Sequence, residues 1–251
     1  DKEKKKIIKF SKNILKDNIP LIVGTGNINT DKSIYDSKIA EECGADSCLI
    51  VTPPYLKVPH EGLITHFNKI ADRINIPIIL YDVKARTGYS MEDRTIKELS
   101  YNENIIGIKE CSNDINRLKK LKENCKKSFL FFSGEDATCY EYCKNGADGV
   151  ISVTGNIYPK LFRLMMHNID SNIGEEINNI LENIYTDMFC YTNPIPIKYA
   201  VYNKMYKLGK WNKDDLEDYL IREPLVKLPE EYQMVINQKM TEIDNYLINY
   251  N

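Results

Sequence analysis

The feature that most constrains this chain is a recurrence of short β-branched or aromatic apolar runs, each followed by a polar stretch with helical periodicity. The runs are Leu21-Ile22-Val23, Cys48-Leu49-Ile50-Val51, Ile78-Ile79-Leu80-Tyr81, Ile105-Ile106-Gly107-Ile108, Phe129-Leu130-Phe131-Phe132 and Gly149-Val150-Ile151-Ser152-Val153. They are apolar at consecutive rather than alternating positions, which suits strands covered on both faces, and helical crossovers between such strands imply parallel pairing. A strand roughly every 20 to 30 residues is the repeat of a (β/α) barrel or of a doubly wound sheet. Residues 32–43 and 61–73 are two of the intervening segments, with apolar residues at i, i+3 and i+4. Residues 1–16 read as a barrel helix, with Ile7, Ile8, Ile14 and Leu15 at helical spacing behind a lysine run that reads as a solvated face.

From about Pro159 the strand signals stop, and the remainder reads as helices broken at Asn193-Pro194-Ile195-Pro196, which its prolines mark as non-helical. The expected organisation is a partial (β/α) barrel over 1–158, then the last barrel helix and a C-terminal helical region over 159–251.

Composition narrows the function classes. At 251 residues, with 43% hydrophobic and 28% charged side chains, the chain can bury a sizeable core. Its formal net charge of −2, with acids and bases interspersed, provides no basic face for phosphates, so nucleic acid is not an expected partner. No apolar run approaches the roughly 20 residues that span a bilayer, and no export signal is visible. The seven cysteines are scattered through apolar stretches and read as reduced, mostly buried thiols. That points to the cytoplasm, or to an organelle had a transit peptide preceded this start. Cys139 and Cys143 stand one helical turn apart, but no second pair or nearby His completes a site, so no metal is expected.

In a β/α barrel the active site is built from loops at the C-terminal ends of the strands, so polar residues that end apolar runs are the candidates. Lys109 follows Ile105-Ile106-Gly107-Ile108 directly. An amine is nucleophilic only when deprotonated, and burial near apolar walls is one way its pKa falls. A lone lysine at a strand end is more often a solvated surface residue. Tyr81 ends the preceding run; its phenol can accept and return a proton, although a core tyrosine with a satisfied hydroxyl is the commoner use. Arg86 follows in the same loop, where its fork suits a carboxylate or, more commonly, a surface ion pair. Gly24-Thr25-Gly26 is not followed by the third glycine of a dinucleotide fingerprint, and a tight βα turn accounts for it.

Taken together, Gly24-Thr25-Gly26, Val51-Thr52-Pro53-Pro54-Tyr55, Tyr81-Asp82-Val83-Lys84-Ala85-Arg86-Thr87-Gly88, Gly107-Ile108-Lys109-Glu110, Ser133-Gly134-Glu135-Asp136-Ala137, Gly149-Val150-Ile151-Ser152-Val153 and Asn193-Pro194-Ile195-Pro196-Ile197-Lys198 resemble the dihydrodipicolinate synthase and N-acetylneuraminate lyase family nearly end to end. The resemblance implies a class I aldolase in which Lys109 forms an imine with pyruvate and Tyr81 relays protons. It implies that Tyr55 is the relay tyrosine inserted by a neighbouring subunit, hence a homodimer or homotetramer. It places the carbonyl of Ile151 in the keto-acid pocket and Gly134 among the substrate-binding residues. Arg86, in its Arg-Thr-Gly setting, is what the synthases use for the carboxylate of L-aspartate 4-semialdehyde, so the implied reaction is its condensation with pyruvate, the entry to diaminopimelate and lysine. Neither a metal nor an organic cofactor is implied. The alternatives are a lyase for N-acetylneuraminate or 2-keto-3-deoxy-sugar acids, and a non-catalytic keto-acid-binding or scaffold relative.

The departures from the family pattern carry expectations of their own. The family fold is a TIM (β/α)8 barrel, and strand number, tilt and shear are linked. Six strands imply that its first two βα units are missing here, including a Gly-Thr-Thr-Gly-Glu loop that binds the pyruvate carboxylate; a start at Asp1 rather than Met suits the loss of a preceding segment. Asp82 stands where the family has Asn, and Lys84 where it has Pro, which frees φ near Arg86. At positions matching the lysine-feedback site, Ile28 replaces an Asn, Lys32 an acid and Pro54 a Tyr, so weak or absent inhibition by lysine is expected.

Overall fold

A computed structural model describes residues 1–212 and 221–249. The chain forms two compact units, residues 1–134 with 145–150, and residues 135–144 with 151–251.

The first unit contains a six-stranded parallel sheet: β1 (Ile22–Gly24), β2 (Ser47–Val51), β3 (Ile78–Asp82), β4 (Ile105–Glu110), β5 (Leu130–Ser133) and β6 (Gly149–Val150). The strands pair in sequence order, each with the next. Helices α1 (Lys2–Leu15), α2 (Thr30–Glu42), α3 (His60–Ala71), α4 (Lys84–Thr87), α5 (Asp93–Leu99) and α6 (Ile115–Asn124) alternate with the strands. Ile50, Ile78, Leu80 and Ile108 of the strands and Phe67, Ile70 and Ile96 of the helices are fully buried, so the central runs form the core that their composition predicts, whereas Ile22 of β1 is 41% exposed and β6 is only half-buried. Helix α2 starts where the Asn29 side chain accepts the backbone N–H of Lys32, and α6 where Asp114 accepts those of Asn116 and Arg117.

One irregularity sets the geometry of the sheet. Ile78 pairs with Ile105 but Ile79 pairs with Gly107, so β4 holds one extra residue at Ile106. Beyond this bulge Tyr81 stands beside Lys109, and Asp82 beside Glu110. Without it Tyr81 would face Ile108, and Lys109 would lie on the opposite face of the sheet.

The second unit contains α7 (Cys139–Lys144), α8 (Pro159–His167), α9 (Asn172–Tyr185), α10 (Ile195–Lys207) and α11 (Glu230–Asn249). Met165, Leu181, Ile184, Ala200, Ile236 and Met240 are buried within it. The Tyr158 hydroxyl donates to the Met240 carbonyl at 3.1 Å, and Lys204 pairs with Asp244 at 2.9 Å.

Two expectations are corrected. Ile195 and Pro196 are not outside the helices: they form the first turn of α10, where a backbone N–H has no helical partner to lose. The last strand ends at Val150 rather than Val153, because buried Asp136 accepts the backbone N–H groups of Val153 (3.2 Å) and Thr154 (2.6 Å) and draws the chain into a turn. Along α1 only Ile8 is buried, whereas Ile7 and Ile14 are 64% and 63% exposed. All seven cysteines are free thiols, with Cys43, Cys48, Cys125 and Cys139 buried. No helix among the described residues is long and apolar enough to cross a membrane.

His66 of α3 shows how burial couples this core to pH. Its Nδ1 lies 2.9 Å from the Thr30 hydroxyl and its Nε2 is buried without a partner, so desolvation lowers its pKa to about 4. The unfolded chain protonates this ring near 6.5 while the folded chain does not until about 4. Stability from this group is therefore complete above 6.5 and is lost as pH falls toward 4, by roughly 3 kcal/mol in all. Urea titrations across this range should show a slope with pH in the wild type that is shallower in His66→Gln.

Candidate active site

Register and strand pleat bring the first candidate pair together. Tyr81 and Lys109 are direct neighbours at the C-terminal ends of β3 and β4 and so share one face of the sheet. The Lys109 ammonium lies 4.5 Å from the centroid of the Tyr81 ring, a cation–π contact. Both residues are half-buried, within reach of solvent but backed by the core.

Gly134, the residue after β5, is held against this pair by its backbone N–H, which donates to the Glu110 carbonyl at 2.8 Å. A Cβ at this position would come within 2.2 Å of Cys111 Sγ and 2.9 Å of Lys109 Cε. Only glycine leaves the lysine stem where it is. Gly26 plays a comparable part at the end of β1, where a Cβ would meet the Val51 backbone nitrogen at 2.6 Å. The glycine thus allows the loop after β1 to lie directly on the end of β2.

Tyr55 and Arg86 sit on two loops that are tied together. The backbone N–H of Tyr55 donates to the Thr87 carbonyl at 3.2 Å, and the Tyr89 hydroxyl donates to the Pro53 carbonyl at 3.1 Å. Tyr55 has φ 73°, a left-handed conformation costly for a side chain of this size, and is 86% exposed. Its ring projects into solvent and is not joined to the Tyr81–Lys109 pair. Arg86 is exposed on α4, whose turn is closed by the Gly88 N–H on the Lys84 carbonyl (2.9 Å) and by the Thr87 hydroxyl on the Tyr89 carbonyl (2.8 Å). Lys84 is the first helical residue, a position that also accepts proline. Ile151 directly follows β6 and belongs to the second unit.

Sequence reasoning missed the charged layer behind the pair. Asp82 and Glu110 follow Tyr81 and Lys109, point to the other face, and are each 2% exposed. Burial raises Asp82 to about pH 6, against the pull of Arg117. Asp82, Glu110, Cys111 and Arg117 line a cleft of about 810 Å³ beyond the ends of β3 and β4. The signals available in the sequence were Asp82, as a departure from the family pattern, and Glu110 beside Lys109. Among the described residues no cluster of three or more His, Cys, Asp or Glu could hold a metal.

Residues 1–243 match the Dihydrodipicolinate synthetase family. The chain belongs to that family. Among its relatives, the 4-hydroxy-tetrahydrodipicolinate synthase of Ruthia magnifica subsp. Calyptogena magnifica is 39% identical over 229 residues, which cover 90% of this chain and 74% of the relative. That of Alcanivorax borkumensis is 37% identical over 232 residues, covering 91% and 76%. Among solved structures of the dihydrodipicolinate synthetase family, the chloride-inhibited enzyme of Acinetobacter baumannii complexed with pyruvate superposes with a TM-score of 0.88 at 34% identity, covering 97% of this chain and 81% of that one. A monomeric dihydrodipicolinate synthase variant superposes equally well, with a TM-score of 0.88 at 30% identity and coverage of 97% and 80%.

The glycine at 134 gives a direct test of the site's packing. Gly134→Ala should destabilise the folded chain by about 1–3 kcal/mol through overpacking, and Cys111→Ala in the same chain should recover part of the loss. Urea unfolding of the wild type, Gly134→Ala and the double variant measures both.

Proposed function

We propose that this chain condenses pyruvate with L-aspartate 4-semialdehyde, as a 4-hydroxy-tetrahydrodipicolinate synthase working through an imine on Lys109. The observation that carries the reading is the Lys109 ammonium 4.5 Å from the Tyr81 ring, at matched ends of neighbouring strands, in a chain of this family.

In this reading the Lys109 amine attacks the pyruvate carbonyl, and loss of water leaves an imine that withdraws electrons from C3. A C3 proton then leaves to give an enamine, which attacks the aldehyde carbon while the aldehyde oxygen takes up a proton. The amino group of the semialdehyde finally adds to the imine carbon, closes the ring and expels Lys109. Tyr81, beside the lysine, is the group that carries protons between these steps. Arg86 takes the carboxylate of the semialdehyde in its fork, and this use of arginine favours the semialdehyde over sugar acids. Gly134, directly after β5 and against the lysine stem, bounds the keto-acid pocket.

Tyr55 is assigned to the site of a second copy. A tyrosine held at positive φ and almost fully exposed is presented outward, where a second copy can reach it, which supports a homodimer as the smallest complete unit and a tetramer built from it. The six parallel strands correspond to strands three to eight of an eight-stranded barrel, and residues 159–251 to its last helix and the helical region that follows.

Borohydride reduction in the presence of pyruvate should give a single mass adduct that Lys109→Ala lacks. A well-folded wild type without an adduct would overturn the imine. Arg86→Ala should raise KM for the semialdehyde by roughly tenfold or more while leaving the adduct intact. For lysine, the ammonium of Lys32, which stands where the resemblance places an acid, already occupies Asp36 and lies 4.7 Å over the Tyr35 ring. Calorimetry should detect weak lysine binding or none; tight binding at this site would refute the expectation.

A further inference from the structure

We propose that Arg117 is a positioning residue for the Tyr81–Lys109 pair, acting through the carboxylates that follow each of them, Asp82 and Glu110. The inference rests on the reading of Lys109 as the imine-forming lysine.

The geometry is specific. On adjacent strands two carboxylates stand side by side, each with its side chain 1% exposed. Two like charges in that position repel one another and would push the ends of β3 and β4 apart. Arg117, on α6, fills the gap with a single nitrogen: its Nη1 donates to Asp82 Oδ2 at 3.2 Å and to Glu110 Oε1 at 2.8 Å. The rest of the guanidinium is fixed as well. Its Nε donates to Asp93 Oδ1 at 3.0 Å and its Nη2 to the Met91 carbonyl at 2.6 Å. Arginine's rigid fork holds all four acceptors at once, which a single ammonium does not. The two residues being cross-linked are the immediate chain neighbours of the reacting lysine and of its proton carrier, so a shift of either carboxylate moves one member of the pair relative to the other.

The cluster is also unbalanced in charge. Asp82 faces Arg117 from α6, Glu110 from β4, Asp93 from α5, the Tyr89 phenol from the connecting loop and Lys84 at the rim of the cleft. Lys120 pairs with Asp93 on the outside at 2.9 Å. Glu110 is better satisfied, taking the Ser112 backbone N–H (2.7 Å) and hydroxyl (2.8 Å) in addition to Arg117. Among the described residues the Asp82 carboxylate accepts the Met91 N–H besides Arg117 and nothing more, and it is the carboxylate that burial raises to about pH 6. Protonation there weakens one arm of the bridge.

The test is the rate of borohydride-trapped pyruvate adduct per folded molecule. Arg117→Met should slow trapping by roughly tenfold to a hundredfold, the scale of a misplacement near 1 Å. Because this variant leaves buried carboxylates unopposed, it is paired with the neutralised triple variant Arg117→Met/Asp82→Asn/Glu110→Gln. If Arg117 positions the pair, the triple variant folds and still traps slowly. Trapping at the wild-type rate once folding is restored would reduce Arg117 to a structural role and overturn the proposal. A pH series adds a second readout: the wild-type rate relative to Asp82→Asn should change through about pH 6 and be constant above 7.5, and a ratio flat throughout would count against it. Failure of the underlying reading is distinguishable, since it leaves the wild type itself without an adduct.

Discussion

The pairing of β3 with β4 is the constraint on which the candidate site depends. Parallel strands repeat with a period of two, so a single residue decides which face each side chain occupies. Here the extra residue at Ile106 shifts the register between Ile78 and Ile79, and every later pair follows from it. Tyr81 and Lys109 meet on one face, and Asp82 and Glu110 meet on the other. The same shift that creates a nucleophile beside a proton carrier also creates a buried pair of like charges.

That pair explains why the helix layer behind the site is polar where the middle of the sheet is covered by apolar side chains such as Phe67, Ile70 and Ile96. Leu118 and Leu121 of α6 pack into the core, yet Arg117 on the same helix reaches the carboxylates instead. Burying one guanidinium among three carboxylates carries a desolvation cost that apolar packing would not. A network of this kind offers little stability over an apolar alternative but fixes geometry, because each of its hydrogen bonds has a direction.

The loops are held by a different means. The Tyr55 and Arg86 segments lie at the ends of β2 and β3 and are linked by two hydrogen bonds to backbone carbonyls, so neither moves without the other. Their side chains remain exposed, which suits groups that meet a substrate or a second copy of the chain. The Asp136 carboxylate does similar work in the second unit, where it holds the backbone of Val153 and Thr154 in the turn after Ile151.

Much of this was legible in the sequence. Consecutive β-branched or aromatic residues marked all six strands, most clearly the central ones, whose burial on both faces leaves no room for alternation, and Lys109, Tyr81 and Arg86 were found because strand ends are where such folds place chemistry. The family followed from the order of short motifs. What could not be read were the features that depend on contacts between distant segments: the bulge at Ile106, the close approach that forbids a side chain at Gly134, the Asp136 turn that shortens β6, and Arg117. On sequence alone Arg117 is one more cation on an amphipathic helix, and nothing local separates it from the solvated lysines beside it. The sequence by itself determined which segments are strands and which residues carry reactive groups, because burial and chemistry belong to the side chain. Only the tertiary structure decided which of those groups face one another, because register and charge pairing are properties of two segments at once.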